Sequence, residues 1–131
     1  MIGLDTNVLL RVFIDDDPAQ VGVARRFVER AAPTGLFVSD LVLAEMVWTL
    51  TRRLKAEKDR IVEVLRRLLE RAEFVLENRD DVRRATSQFA SGRVDFGDCL
   101  IAVRSQRLGV EQTVSFDEDA IEMNVFIRVP T

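Results

Sequence analysis

Short apolar runs alternate along this chain with longer segments whose apolar residues recur at helical spacing. Residues 1–4 form a strand candidate that ends at the polar trio Asp5, Thr6 and Asn7. A turn or two of helix over 8–14 follows and breaks at Asp15, Asp16 and Asp17. Asp17 is placed to cap a second helix, with Pro18 at its first position and Gln20 completing a capping box. That helix runs to about Ala32 and stops at Pro33 and Gly35. Residues 36–38 read as the second strand, and Ser39 as the cap of an apolar helix through Leu50 to the Arg52–Arg53 pair. A helix opening at Lys58 or Asp59 carries Ile61, Val64, Leu65, Leu68 and Leu69 on one face.

The third strand candidate is 74–76, followed by a helix over about 80–90 that Gly92 ends. Asp95 opens the next helix, and Gly109 closes it after Leu108. Residues 112–116 and 125–129 are the last two strand candidates. Alternating strands and helices predict an α/β domain with a central parallel sheet. No repeat, linker or low-complexity segment divides the chain, so residues 1–131 are expected to form one domain.

Composition narrows the chemistry by exclusion. There is no histidine and no tyrosine, and Cys99 is the only cysteine. An internal disulfide, a Cys-based metal cluster, His-ligated zinc and imidazole-based hydrolysis are all ruled out. Acid–base or metal chemistry must rest on the 22 Asp and Glu residues. A net charge of −3 argues against a basic nucleic-acid coat protein, although 17 of the 19 basic residues are Arg, which suits bidentate phosphate contacts. No apolar run approaches the ~18 residues of a membrane span. Asp5 interrupts the apolar start with no basic leader before it, so no signal peptide and a cytoplasmic location are expected.

Ligands of open parallel sheets gather beyond the carboxyl ends of the strands. Asp5 follows the first strand candidate and Asp117 the fourth, Glu45 lies in the helix after the second, and Asp95 and Asp98 start the helix that feeds the fourth. Helix capping competes as an explanation for Asp5, and it accounts for one member of the Asp95–Asp98 pair without requiring both. Glu45 is the only charge between Leu41 and Leu50, and the apolar residues around it predict a buried carboxylate. Asp117 stands in S-F-D-E-D, where Asp119 reads as an ordinary turn residue. Clustered carboxylates without His or Cys point to Mg²⁺, with Mn²⁺ as substitute, and away from zinc. Such a site suits phosphoryl chemistry, with a metal-activated water as nucleophile.

The opening I-G-L-D-T-N-V-L-L-R, the glutamate of S-D-L-V-L-A-E-M-V-W, the D-F-G-D-C-L-I-A block and the late S-F-D resemble a PIN domain. More narrowly they resemble the VapC-type ribonuclease toxins of bacterial type II toxin–antitoxin pairs. The resemblance runs from Asp5 to Asp117. It implies a three-layer α/β/α fold, Mg²⁺-dependent endoribonuclease activity on RNA, a homodimer, and a cognate VapB-like antitoxin that wraps the active site. By matching position it implies catalytic roles for Asp5, Glu45, Asp98 and Asp117, and metal ligation by Asp5, Asp98 and Asp117. Thr6, Asn7, Asp95 and Ser115 fall at supporting positions, Ser115 standing where the family often has Thr.

The apolar hairpin over 48–69 is expected to contribute to the dimer, because Trp48, Leu65 and Leu69 would otherwise be exposed. Three other readings compete. A catalytically silent PIN-type module would bind RNA or protein without cleavage. A receiver-type signalling domain shares the layout, but needs an acidic pair after the first strand and a late Lys, whereas Lys55 and Lys58 lie mid-chain. A dehalogenase-type phosphatase needs D-x-D where this chain has D-T-N.

Overall fold

A computed structural model describes all residues, 1–131. The chain divides into two compact units, Met1–Arg79 and Asp80–Thr131. The first contains β1 (Ile2–Gly3), α1 (Thr6–Phe13), α2 (Pro18–Ala31), a 3-10 turn (Ala32–Thr34), β2 (Leu36–Val38), α3 (Asp40–Arg52), α4 (Lys58–Glu70) and β3 (Phe74–Leu76). Its sheet has the order β1-β2-β3, all parallel, with Ile2 opposite Leu36 and Leu36 opposite Phe74.

Parallel strands covered by helices are apolar on both faces, and Leu36, Val38 and Phe74 are fully buried here. Leu43, Met46 and Leu50 of α3 and Ile61, Leu65 and Leu68 of α4 complete this core. Each such side chain contributes roughly 1.5–3 kcal/mol of burial. The start of α3 is doubly satisfied: Ser39 Oγ accepts the Val42 N–H at 3.1 Å and Glu77 Oε1 accepts the Asp40 N–H at 2.8 Å. Asp17 caps α2 by accepting the Gln20 N–H, as its sequence position predicts.

The second unit contains α5 (Arg79–Ser91, its first residue closing the first unit), α6 (Phe96–Arg107), β4 (Val114–Ser115), α7 (Glu118–Glu122) and β5 (Ile127–Arg128). β4 and β5 pair in parallel, Val114 with Ile127. Phe89 and Phe96 meet edge to face at 6.1 Å between centroids, joining α5 to α6. Asp81, 1% exposed, receives Arg107 Nε at 2.8 Å and ties the same two helices together. α6 ends in a Schellman motif: the Val110 N–H reaches Ser105 O, the Gly109 N–H reaches Gln106 O, and Gly109 supplies the required positive φ of 85°.

Every strand pair is parallel, as the alternating pattern predicts. Three details differ. Helix α1 begins at Thr6 rather than residue 8, because Asp5 itself is the cap. Strands β1, β4 and β5 are two residues each, shorter than the apolar runs around them. The short helix α7, over residues expected to be loop, is started by Asp117. No helix is long and apolar enough to cross a membrane.

Candidate active site

Three of the aspartates singled out above stand at the same kind of place, the N-cap of a helix. Asp5 Oδ1 accepts the Thr6 N–H at 2.8 Å, Asp95 Oδ1 accepts the Asp98 N–H at 2.9 Å, and Asp117 Oδ1 accepts the Ala120 N–H at 3.0 Å. Capping fixes each carboxylate and engages Oδ1, leaving Oδ2 outside the capping bond. Ser115 supports Asp117 directly, since its Oγ accepts the Asp117 N–H at 2.9 Å.

Asp98 is different. It lies in the first turn of α6 with its backbone N–H held by Asp95, and its own carboxylate caps nothing. Partial burial, then the Asp95 charge, then the Asp117 charge push its pKa up to about 6. All three influences act in one direction, so Asp95 and Asp117 both oppose the ionisation of Asp98.

In the first unit Asp5 and Asn7 are exposed and Thr6 is buried. The Thr6 hydroxyl has no hydrogen-bond partner, although a buried unsatisfied group costs about 1–3 kcal/mol. Glu45 corrects the sequence reading. It is exposed, not buried, because Leu41, Glu45 and Trp48 share the outer face of α3, while Leu43, Met46, Val47 and Leu50 take the inner one. Leu41 and Trp48 are 75% and 57% exposed, so apolar content all round the helix did not mean burial all round. The cost of a buried charge therefore gives no argument for Glu45, whose candidacy rests on its position in the motif.

In neither unit do three or more Asp, Glu or Cys side chains converge to enclose a metal ion by themselves. The donor chemistry nevertheless fits a hard divalent cation. Mg²⁺ commonly takes one or two carboxylates and keeps several waters. The fixed aspartates offer oxygen only; in the second unit Asp98 stands in a field that a cation would relieve, and in the first the Thr6 hydroxyl beside Asp5 is an unpartnered oxygen.

Arg93 is a neighbour of these acids that the sequence reading does not pick out. Its guanidinium reaches Glu122 at 2.5 Å and Asp119 at 3.9 Å, joining the loop before Asp95 to the helix that Asp117 caps. Gly92 reinforces the junction, since a Cβ there would meet Met123 Cε at 3.0 Å. Asp119, expected to be a turn residue, is thus in the first turn of α7 and faces Arg93. A contact across 29 positions leaves no local sequence signal.

Asp5 and Asp117, each just beyond a strand and fixed as a helix cap, suit carboxylate-based phosphoryl chemistry, which several classes of parallel α/β domain share. The PIN domain family matches residues 2–125, and the chain belongs to that family, with its three-layer α/β/α fold class and central parallel sheet. Within it, the chain is 32% identical over 115 residues to a VapC ribonuclease of Aquifex aeolicus (strain VF5), covering 86% of this chain and 84% of that one. A receiver-type domain is thereby set aside.

Proposed function

We propose that this protein is a divalent-metal-dependent endoribonuclease of the VapC type, the toxin of a type II toxin–antitoxin pair, and that residues 1–131 work as one PIN domain. The observation that carries the reading is Asp98 in the first turn of α6, a carboxylate that caps nothing while Asp95 caps the helix and Asp117 adds a like charge, in a chain without histidine. The similarity to a VapC ribonuclease supports RNA as the substrate. A cognate VapB-like antitoxin, a homodimer and a cytoplasmic location belong to the same reading.

Asp5, Asp98 and Asp117 would hold Mg²⁺, with Mn²⁺ as substitute and water completing the coordination. When bound, the ion lowers the pKa of water and neutralises charge on the phosphate. Glu45 supplies the fourth catalytic carboxylate. Ser115 fixes the backbone of Asp117, Asp95 fixes the first turn of α6, and Thr6 and Asn7 flank Asp5. For the dimer, the sequence argument loses two of its three residues: Leu65 is fully buried within its own unit and Leu69 is half-buried, which leaves Trp48 exposed. Light scattering at micromolar concentration checks the dimer, and a monomer refutes it.

The test of the activity is incubation of purified protein with total RNA and mapping of the ends produced. Cleavage is expected with Mg²⁺ or Mn²⁺, to stop on chelation with EDTA, and to return little with Ca²⁺, a poorer Lewis acid. Tight RNA binding with no cleavage under any of these ions would make the protein a silent binding module instead.

A further inference from the structure

We infer that Phe116 is a stacking platform for one base of single-stranded RNA beside Asp117, an inference that rests on the nuclease reading above. Of the nine aromatic side chains, only Phe116 and Trp48 are exposed, and Phe116, at 83%, is the most exposed large apolar residue in the chain. Leaving a phenyl ring in water forgoes roughly 1.5–3 kcal/mol of burial, part of which a partner stacked on it would recover.

The backbone on both sides of this ring is pinned. Ser115 is registered in β4, where its carbonyl accepts the Val129 N–H. Asp117 is held by Ser115 Oγ on its N–H and by the Ala120 N–H on its carboxylate. A ring carried on a fixed turn loses little freedom when it binds. It also lies one residue from a proposed metal ligand, with successive Cα atoms about 3.8 Å apart. A base stacked there would bring its own phosphate close to Asp117.

The surroundings admit an anionic strand beside the ring. Asp117, Glu118 and Asp119 follow directly and are all exposed. Arg128 pairs Glu118 and Arg93 faces Asp119, so two of the three charges beside the ring are offset and do little to repel the phosphates of a strand. A base uses one face of the ring and leaves the carboxylates hydrated. Because every base has a π-face, the contact positions the strand without reading its sequence. Duplex RNA, whose bases already stack on one another, gains nothing from it.

The test compares Phe116→Ala, Phe116→Leu and Phe116→Trp. KM is measured for cleavage of single-stranded RNA, and affinity for a fluorescein-labelled RNA oligonucleotide by anisotropy with Mg²⁺ in the Asp98→Asn background. Ala and Leu are both expected to weaken binding and raise KM about tenfold to a hundredfold, Trp to preserve both, and duplex RNA to show no difference. Equal behaviour of Leu and the native Phe would show that the ring does not stack and overturns the inference. Unchanged RNA affinity with weaker self-association by sedimentation would assign Phe116 to a contact between copies, also overturning it. Normal cleavage with unaltered KM in Phe116→Ala overturns this inference alone. Failure of the unsubstituted protein to bind or cut RNA overturns the nuclease reading with it.

Discussion

The starts of α1 and α6 answer the same structural demand with different numbers of acids. At α1 a single aspartate, Asp5, caps the helix. At α6 Asp95 caps the helix, and Asp98 stands one turn inside with a carboxylate that the helix does not use. Helix geometry thus accounts for Asp5 and Asp95 and leaves Asp98 over. A carboxylate kept where burial and two like charges oppose its ionisation is a cost to stability with no structural return. Among the aspartates at these two helix starts, Asp98 alone has no structural role.

The sharpest way to break this comparison is Asp98→Asn. RNA cleavage is expected to fall by at least about a hundredfold in a gel assay, while thermal stability of the metal-free protein holds or rises. Unchanged cleavage would remove Asp98 from the site. Asp5→Asn keeps a good cap, so stability should move by less than about 0.5 kcal/mol while cleavage falls about tenfold or more. A loss of stability without loss of activity would reduce Asp5 to a cap. Asp95→Asn should lower cleavage only a few-fold, whereas Asp95→Ala should also cost about 1 kcal/mol in denaturant unfolding. Equal, mild kinetic losses at Asp95 and Asp98 would erase the distinction between them.

The smallest effect is in pH dependence. In protein stripped of divalent ions, the folded-state pKa of Asp98 lies above the unfolded value, about 6 against 3.8. Folding therefore favours the protonated form, and the associated stability is fully present below about pH 4 and lost as pH rises through 6. Solvent screening of this partly exposed group reduces the effect to about 1 kcal/mol. Asp98→Asn should match the native chain at pH 4 and exceed it by that amount at pH 7.5, measured by urea unfolding. An identical offset at both pH values would contradict the assigned shift.

Much of this was legible in the residues. β2 and β3 were read to the residue, because short apolar runs there sit between clear turn and cap signals such as Gly35 and Ser39. The caps Asp17, Ser39 and Asp95 were legible for the same reason, being local chemistry. The exposure of Glu45 is not legible, because apolar residues all round a helix do not imply burial all round, and the arc through Leu41, Glu45 and Trp48 faces out. Helix α7 was missed because five residues are too few to show a period. The Arg93 junction depends on a contact across the chain that no local pattern announces. Bringing Asp98 and Asp117 into one electrostatic field is likewise a product of the fold.

The parallel register of the first unit sets a timetable for synthesis. Ile2 pairs with Leu36 and Leu36 with Phe74, so each strand waits for a whole helical crossover before its neighbour exists. Loop-closure entropy must be met before such long-range pairs form, which makes parallel sheets slow to assemble. As the chain leaves the ribosome, β1 remains without its strand partner until β2 emerges, and the three-stranded sheet cannot close before Leu76 is out. Asp5 can cap α1 early, but the sheet that positions it comes later. A nuclease built in this order stays without its scaffold for most of its own translation.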